Sequence, residues 1–221
     1  MIVRAAQDLE PGTEIVFWYQ SPFNSEPSKE QTDFRQWEFN CDCIMCQDVR
    51  VTSDVTLARR KRLRNDVLNH FQSPKALNEA EVEATLLMLA ETYSRPASEV
   101  PRILLWDLYL DLSRAYAKHN QPKKAIDWAL KALESLGYVI DGGCVSNMPL
   151  TVKKWGLMTD SHVECWMILA RAYLAVGPEL AAQAEDYARI TYSICVGEDE
   201  TFYETYGNYP AWRIDLLSKT K

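Results

Sequence analysis

Residues 107–137, DLYLDLSRAYAKHNQPKKAIDWALKALESLG, contain the pattern that decides the fold of this chain. Large apolar residues recur every three or four positions on both sides of Pro122, which favours two amphipathic helices. Pro122 stands where a helix accepts proline, in its first turn, and Gly137 stands where a helix commonly ends. The segment therefore predicts two antiparallel helices joined by a short turn.

These two helices follow the spacing of a tetratricopeptide repeat, and the chain contains the pattern twice. Small residues at fixed positions let the paired helices approach closely, and an aromatic residue fills the gap between them. The first copy consists of Tyr109, Leu112, Ser113 and Tyr116, followed by Ala125, Ala129 and Ala132. The second copy consists of Trp166, Leu169, Ala170 and Tyr173, followed, after a two-residue insertion, by Ala184, Ala188 and Thr191. The pattern predicts a short array of tetratricopeptide-like hairpins.

Capping residues extend the helical pattern upstream of the first copy. Ser53 or Asp54 is suited to cap a helix that reaches about Phe71, and Asn78 is suited to cap another that reaches about Tyr93. Downstream, residues 138–158 contain glycine and proline and predict a long irregular connection. Two short helices are predicted at residues 199–206 and 210–218.

The first 50 residues differ in composition from the helical part. Residues 1–19 contain β-branched and aromatic runs around the turn signal Glu10-Pro11-Gly12, which predicts strand, turn and strand. Residues 20–30 are rich in proline, serine and asparagine and predict a loop. A short helix is predicted at residues 31–38.

Cys41, Cys43 and Cys46 form the strongest local signal of chemistry. Three of the six cysteines in the chain lie within these six residues, which is typical of a metal site rather than of a disulfide framework. Three thiolates at this spacing suit one tetrahedral Zn²⁺. Zinc needs a fourth ligand, and no other cysteine or histidine lies within twenty residues of the cluster. The local sequence therefore does not identify that ligand. The alternative is three unligated cysteines in a loop.

Residues 3–15, VRAAQDLEPGTEI, followed by Tyr19, resemble the end of a SET domain. Phe39 and the three cysteines that follow it are similar to a post-SET element, particularly that of the SET–MYND protein lysine methyltransferases. The helical hairpins fit the order of parts in that subfamily. The resemblance implies a mainly α chain: the end of a SET domain at 1–19, a loop and post-SET cluster at 20–50, and a tetratricopeptide-like domain at 51–221.

The resemblance also implies roles for individual residues. Tyr19 corresponds to the active-site tyrosine, whose hydroxyl holds the substrate lysine amine in line with the methyl–sulfur bond of S-adenosylmethionine. Phe39 corresponds to an aromatic residue of the cofactor and lysine pocket, and Cys41, Cys43 and Cys46 correspond to zinc ligands. The structural alternative for Tyr19 is an ordinary aromatic residue in the core or at the edge of a sheet.

The sequence also departs from the SET pattern. The glycine-rich cofactor segment and the Asn-His motif, whose region supplies the fourth zinc ligand in the family, would precede residue 1. Thr13 replaces the more usual acidic residue beside Glu14. We therefore expect S-adenosylmethionine to bind only in a longer, complete protein, and we expect these 221 residues alone to be inactive. Whether the chain is an enzyme stays open.

Composition and charge restrict the partners. The net charge of −7 argues against general nucleic-acid binding and suits a lysine-containing protein such as a histone. No run approaches about 18 consecutive apolar residues, so no membrane contact is expected, and the chain is expected in the nucleus or the cytoplasm. The basic run at residues 59–64 favours a solvated helix face over an import signal.

Two functional hypotheses of different classes follow. The first is the C-terminal part of an S-adenosylmethionine-dependent protein lysine methyltransferase of SET type. The alternative is a non-catalytic helical module for protein–protein interaction that carries a SET remnant. A zinc-finger adaptor is weaker than either, because the sequence has one incomplete zinc cluster.

Overall fold

The computed structural model describes residues 10–13, 33–34, 39–73, 77–143 and 148–207. The predicted strands on either side of the Glu10 turn, the helix predicted at 210–218, and Tyr19 lie outside the described residues. Within the turn, the Thr13 N–H donates to the Glu10 carbonyl over 3.0 Å, and Gly12 has a φ of +89°. The predicted turn is therefore present.

Two very short strands precede the helices. β1 (Asp33–Phe34) pairs antiparallel with β2 (Phe39–Asn40), and Phe34 lies opposite Phe39. The short helix predicted at 31–38 is therefore wrong at residues 33–34. Pairing across a chain reversal depends on residues on both sides of it, which a local helical pattern does not reveal.

Three helices follow, α1 (Ile44–Val51), α2 (Asp54–Gln72) and α3 (Glu79–Ala90). The Ser53 side chain accepts a hydrogen bond from the Thr56 N–H over 3.1 Å, which confirms the predicted cap of α2. Asn78 caps α3 in the same way by accepting from the Glu81 N–H over 3.4 Å. α3 ends three residues before the predicted boundary at Tyr93.

Two helical hairpins form the centre of the molecule. The first pairs α4 (Ile103–Lys118) with α5 (Pro122–Ser135), and the second pairs α6 (Ser161–Val176) with α7 (Pro178–Val196). Each second helix begins at a proline, where the missing N–H costs no helical hydrogen bond. The mainly α architecture predicted from the sequence is confirmed.

The connection between the hairpins contains a small sheet, so the prediction of an irregular segment at 138–158 is corrected. β3 (Val139–Asp141) pairs antiparallel with β4 (Thr151–Lys154). The Val152 N–H donates to the Tyr187 hydroxyl over 3.1 Å and the Leu150 N–H to the Gln183 side chain over 2.7 Å, which ties this sheet to α7. These partners are remote in sequence, so local composition did not reveal them.

The hydrophobic core lies between the hairpins and continues to α2, α3 and α8 (Phe202–Tyr206). Both copies of the repeat pattern point into this core. Its fully buried members include Leu112, Tyr116, Ala125, Ala129, Trp166, Leu169, Tyr173, Ala184 and Ala188. Interdigitation of these side chains fixes the hairpins against each other. In the part of the chain that the structure describes, the helices are too short or too polar to cross a membrane.

Candidate metal centre

The three cysteines lie where the chain enters α1. Cys43 is the N-cap residue of this helix, and its sulfur accepts from the Cys46 N–H over 3.5 Å. Cys46 follows Cys43 by three residues, and the first helical turn therefore places the two side chains on one side of the chain. Cys41 reaches the same side from the extended segment that follows β2.

The three sulfur atoms all lie within 4.8 Å of one another. Tetrahedral zinc with sulfur at about 2.3 Å requires sulfur–sulfur distances of about 3.8 Å. Small side-chain rotations are enough to close the difference. All three thiols are free, Cys43 is exposed, and Cys41 and Cys46 are half-buried, so a metal ion can reach the group from solvent. Among the described residues, this group is able to supply three of the four ligands of a zinc ion.

The electrostatics of the group favour the thiolate form of Cys41. Partial burial acts to raise the pKa of Cys41, but hydrogen bonds from Cys43 and Cys46 and the Arg50 guanidinium lower it overall. The pKa of Cys46 is raised, first by burial and then by hydrogen bonding and charge repulsion from Cys43 and Cys41. Three adjacent thiolates repel each other, and a divalent cation would relieve that repulsion and displace the remaining protons.

Two side chains on α1 hold the loop that carries Cys41 and Asp42. Arg50 Nη1 donates to the Cys41 carbonyl over 2.7 Å, and Nη2 donates to the Asp42 carboxylate over 3.1 Å. Gln47 Nε2 donates to the Asp42 carbonyl over 2.7 Å. Neither Gln47 nor Arg50 was predicted from the sequence as a site residue. Their spacing of three on a helix that begins at the cysteines was the available signal, since such residues share one helix face.

The other two predicted site residues are placed only in part. Tyr19 lies outside the described residues. Phe39 lies in β2, two residues before Cys41, where its backbone pairs with Phe34. The roles assigned to Tyr19 and Phe39 stay predictions.

The basic run at residues 59–64 divides into two groups. Arg59, Lys61 and Arg62 are exposed on α2, as expected for a solvated helix face. Arg60 is buried, with 5% of its surface exposed, and forms an ion pair with Asp48. Arg64 donates two hydrogen bonds to the Asp107 carboxylate on α4. The prediction of a wholly solvated face is therefore wrong at these two positions, because their partners lie on other helices.

One histidine and two cysteines outside the metal group lie on the helices of the second hairpin. His162, in the first turn of α6, is fully buried and stacks on Trp106 with ring centroids 4.7 Å apart. Cys165 is buried and contacts the Ala129 carbonyl, whereas Cys195 is exposed. Cys144 lies outside the described residues.

A cavity of about 460 Å³, lined by both apolar and polar residues, is formed by segments that are remote from the cysteines in sequence. It is formed by the segment before α4, the C-terminal half of α5 and the start of β3. Its charged lining residues are Arg102, Lys131 and Glu134. Burial raises the pKa of Glu134 against the lowering effect of Lys131.

Comparison with known proteins identifies one informative relative. No protein-family model matches the chain. A curated protein named "Methyltransferase" from the fungus Gibberella zeae is 34% identical over 208 residues, which cover 92% of this chain. The chain spans 29% of the length of that relative. It is therefore homologous to a part of a protein named as a methyltransferase.

Proposed function

We propose that this chain is the C-terminal part of an S-adenosylmethionine-dependent protein lysine methyltransferase of SET type. The observation that carries the proposal is the order of parts: a cluster of three thiols, followed by paired helical hairpins whose repeat positions are buried. The similarity to a protein named methyltransferase supports the same general activity. In this proposal the hairpins are tetratricopeptide-like repeats.

Cys41, Cys43 and Cys46 are proposed to hold a structural zinc ion. The free thiols, their mutual distances and the half-buried position of two of them suit such an ion. A fourth ligand would come from outside the described residues. Bound zinc would fix the backbone next to Phe39 and so support the wall of the pocket that the resemblance assigns to Phe39.

Tyr19 is proposed to orient the substrate amine. The lysine nitrogen must be neutral, because a free lysine has a pKa near 10.4 and its ammonium form has no lone pair. S-adenosylmethionine, when bound in the longer protein, would supply the methyl group, and the neutral amine would take it up in exchange for a proton, which leaves N-methyl-lysine and S-adenosylhomocysteine. Orientation of the amine would supply much of the rate. The proposed partner is a lysine-containing protein such as a histone, in the nucleus or the cytoplasm.

Metal analysis of the purified chain tests the zinc part of the proposal. We expect one zinc per chain, held by the three thiolates with a solvent molecule in the fourth position, and we expect cobalt(II) substitution to give thiolate-to-metal charge-transfer absorption. Serine in place of Cys41, Cys43 and Cys46 should remove both signals. Cys195→Ser is the matched control, since this thiol is exposed and does not belong to the group of three, and it should keep the metal. Metal retained by the triple variant would contradict the site.

Calorimetric titration with S-adenosylmethionine tests the methyltransferase part. We expect no binding to these 221 residues and binding to a longer protein that carries the glycine-rich and Asn-His segments. In that longer protein, Tyr19→Phe should lower methylation of a lysine peptide by about 100-fold while cofactor binding is kept. Unchanged methylation would remove the role proposed for Tyr19.

The cavity lined by Arg102, Lys131 and Glu134 favours a second candidate, a non-catalytic module for protein–protein interaction. A cavity of about 460 Å³ with two cations and a carboxylate suits polar groups of a bound peptide. This candidate predicts no cofactor binding even by the longer protein. It also predicts that Lys131→Ala weakens binding of a partner peptide, whereas Lys123→Ala on the exposed start of α5 does not.

A further inference from the structure

We propose that α1 couples metal binding at the three cysteines to the packing of the helical array, and that Arg60 is the residue through which the coupling acts. The proposal rests on the zinc site proposed above. One side of α1 carries the thiols of Cys43 and Cys46. Asp48, on another side, pairs with the buried guanidinium of Arg60 on α2, which also binds the segment that ends α3.

The side of α1 that faces the thiols positions all three of them. Cys43 and Cys46 belong to its first turn, where the Cys46 N–H donates to the Cys43 sulfur. Arg50 and Gln47 bind the carbonyls of Cys41 and Asp42, both over 2.7 Å. A displacement of α1 therefore moves two sulfurs directly and the third through these hydrogen bonds.

Part of α1 is withdrawn from solvent. Asp48 and Val49 are its buried residues, with 8% and 6% of their surfaces exposed. Asp48 Oδ2 lies 3.6 Å from Arg60 Nη1 on α2. Both charged side chains are almost fully withdrawn from water, so each depends on the other for compensation of its charge.

Arg60 also binds the segment that ends α3. Its Nε donates to the Thr92 hydroxyl over 3.1 Å, and its Nη2 donates to the Thr92 carbonyl over 3.0 Å. The guanidinium carbon lies 3.7 Å from the centre of the Tyr93 ring. One side chain thus joins α1 to a segment that is remote from the cysteines in sequence.

The chemistry of arginine explains why this position is specific. A planar guanidinium with five donors can meet a carboxylate, a hydroxyl, a carbonyl and an aromatic face at once, which a lysine ammonium cannot. Arg59 is adjacent in sequence but exposed, so it shares the charge and the helix without the contacts. It provides a matched control.

Coupling of this kind is reciprocal. If zinc binds the arrangement of α1 that is docked on Arg60, zinc favours docking, and docking raises the affinity for zinc by the same factor. The end of α3 should then become more protected when zinc binds. The Thr92 and Tyr93 amides report on this change, since they donate to Leu89 and Ala90, each over 3.2 Å.

Zinc affinity, measured by competition with a chromophoric chelator, tests the proposal on the whole chain. We expect Arg60→Met to weaken zinc binding by about 10- to 100-fold, the range seen when support of metal ligands is removed. Arg59→Met should change the affinity less than about twofold. Equal affinities of Arg60→Met and the wild type, with far-ultraviolet circular dichroism showing both folded, would overturn the coupling.

Hydrogen exchange of the wild type provides a test that no folding defect can obscure. Added zinc should slow exchange at the Thr92 and Tyr93 amides as well as in α1. Slowing in α1 alone would overturn the coupling and leave the zinc site standing. Failure of the wild type to bind zinc would overturn the zinc site and the coupling together. The milder Thr92→Val variant should weaken zinc binding severalfold, and an unchanged affinity counts against Arg60 as the link.

Discussion

The hairpins α4–α5 and α6–α7 and the cysteine-bearing helix α1 are stabilised in different ways. Apolar side chains fill the space between the hairpins, and Leu108, Leu133 and Trp166 are fully buried there. α1 buries only Asp48 and Val49, and its other contacts with the thiol loop are polar. Burial of one apolar side chain contributes about 1.5–3 kcal/mol, so the hairpins gain many such contributions and α1 gains one.

The stability of the two regions should therefore depend on different conditions. The hairpins should depend on packing and hardly on metal, whereas α1 should depend on metal and on a few hydrogen bonds and ion pairs. Four changes should affect the stability of the two regions differently. In descending order of expected effect they are removal of a large core side chain, acidification, metal binding and removal of a hydroxyl.

The largest effect is expected from truncation of the core. Trp166→Ala should lower the free energy of unfolding by about 3–5 kcal/mol, because a fully buried indole is removed and a cavity remains. Denaturation with guanidinium chloride measures the change. Leu174→Ala is the matched control, since it lies on the same helix with 65% of its surface exposed, and it should cost at most about 0.5 kcal/mol. A loss below about 1 kcal/mol for Trp166→Ala would contradict the view that core packing stabilises the hairpins.

The next effect is expected on acidification, and it arises in the hairpins. Burial lowers the pKa of His162 from 6.5 to about 4, although contacts with Thr159 and Asp160 act to raise it. Between these two pH values the unfolded state binds a proton that the folded state does not. The free energy of unfolding therefore falls as the pH drops through this window, by up to about 3 kcal/mol.

His162→Leu isolates this contribution. The variant should lack this part of the pH dependence between pH 6.5 and 4, whatever its stability at pH 7. His119→Gln, which replaces an exposed histidine at the end of α4 in the other hairpin, should retain it. Thermal melts across this pH range measure the slopes, and identical slopes for His162→Leu and the wild type would refute the assignment.

Residues with local signals account for what the sequence predicted. Ser53, Asn78 and Pro122 act through neighbours three or fewer residues away, and the helices that they begin were found. The thiol group was likewise predictable, because the three cysteines lie within six residues, which brings their sulfurs close together.

Residues whose roles depend on distant partners account for what the sequence did not predict. Arg60 has the surroundings of an exposed charge in sequence, and only α1 and Thr92 make it a buried one. His162 gives no sign in sequence that Trp106 will cover it. The pairing of β3 with β4 bridges a connection whose composition favours irregular structure.

Metal binding should stabilise α1 and leave the stability of the hairpins unchanged. At a free zinc concentration 100 times the dissociation constant, the free energy of opening of α1 should rise by about 2.7 kcal/mol, while that of α6 stays unchanged. Hydrogen exchange of backbone amides in the two helices measures both. The triple serine variant of Cys41, Cys43 and Cys46 should keep the zinc-free values and gain nothing. Equal gains in α1 and α6 would show that the two regions unfold as one.

The smallest effect is expected at a polar group inside the hairpin region. Tyr138 is 2% exposed, and its hydroxyl has no hydrogen-bond partner among the described residues. Burial raises the pKa of this phenol, in keeping with an apolar environment. Tyr138→Phe keeps the ring contacts with Trp155 and removes the buried hydroxyl, so it should raise the free energy of unfolding by about 1 kcal/mol.

Tyr116→Phe is the opposite case and serves as the control. The Tyr116 hydroxyl donates to Glu83 and accepts from Lys124 over 3.2 Å, so its removal should lower the free energy of unfolding by about 1 kcal/mol. Urea denaturation of both variants measures the pair of changes. A loss of stability in Tyr138→Phe would mean that an ordered water satisfies the Tyr138 hydroxyl. The stability of the hairpin core would then depend partly on polar contacts, as that of α1 does.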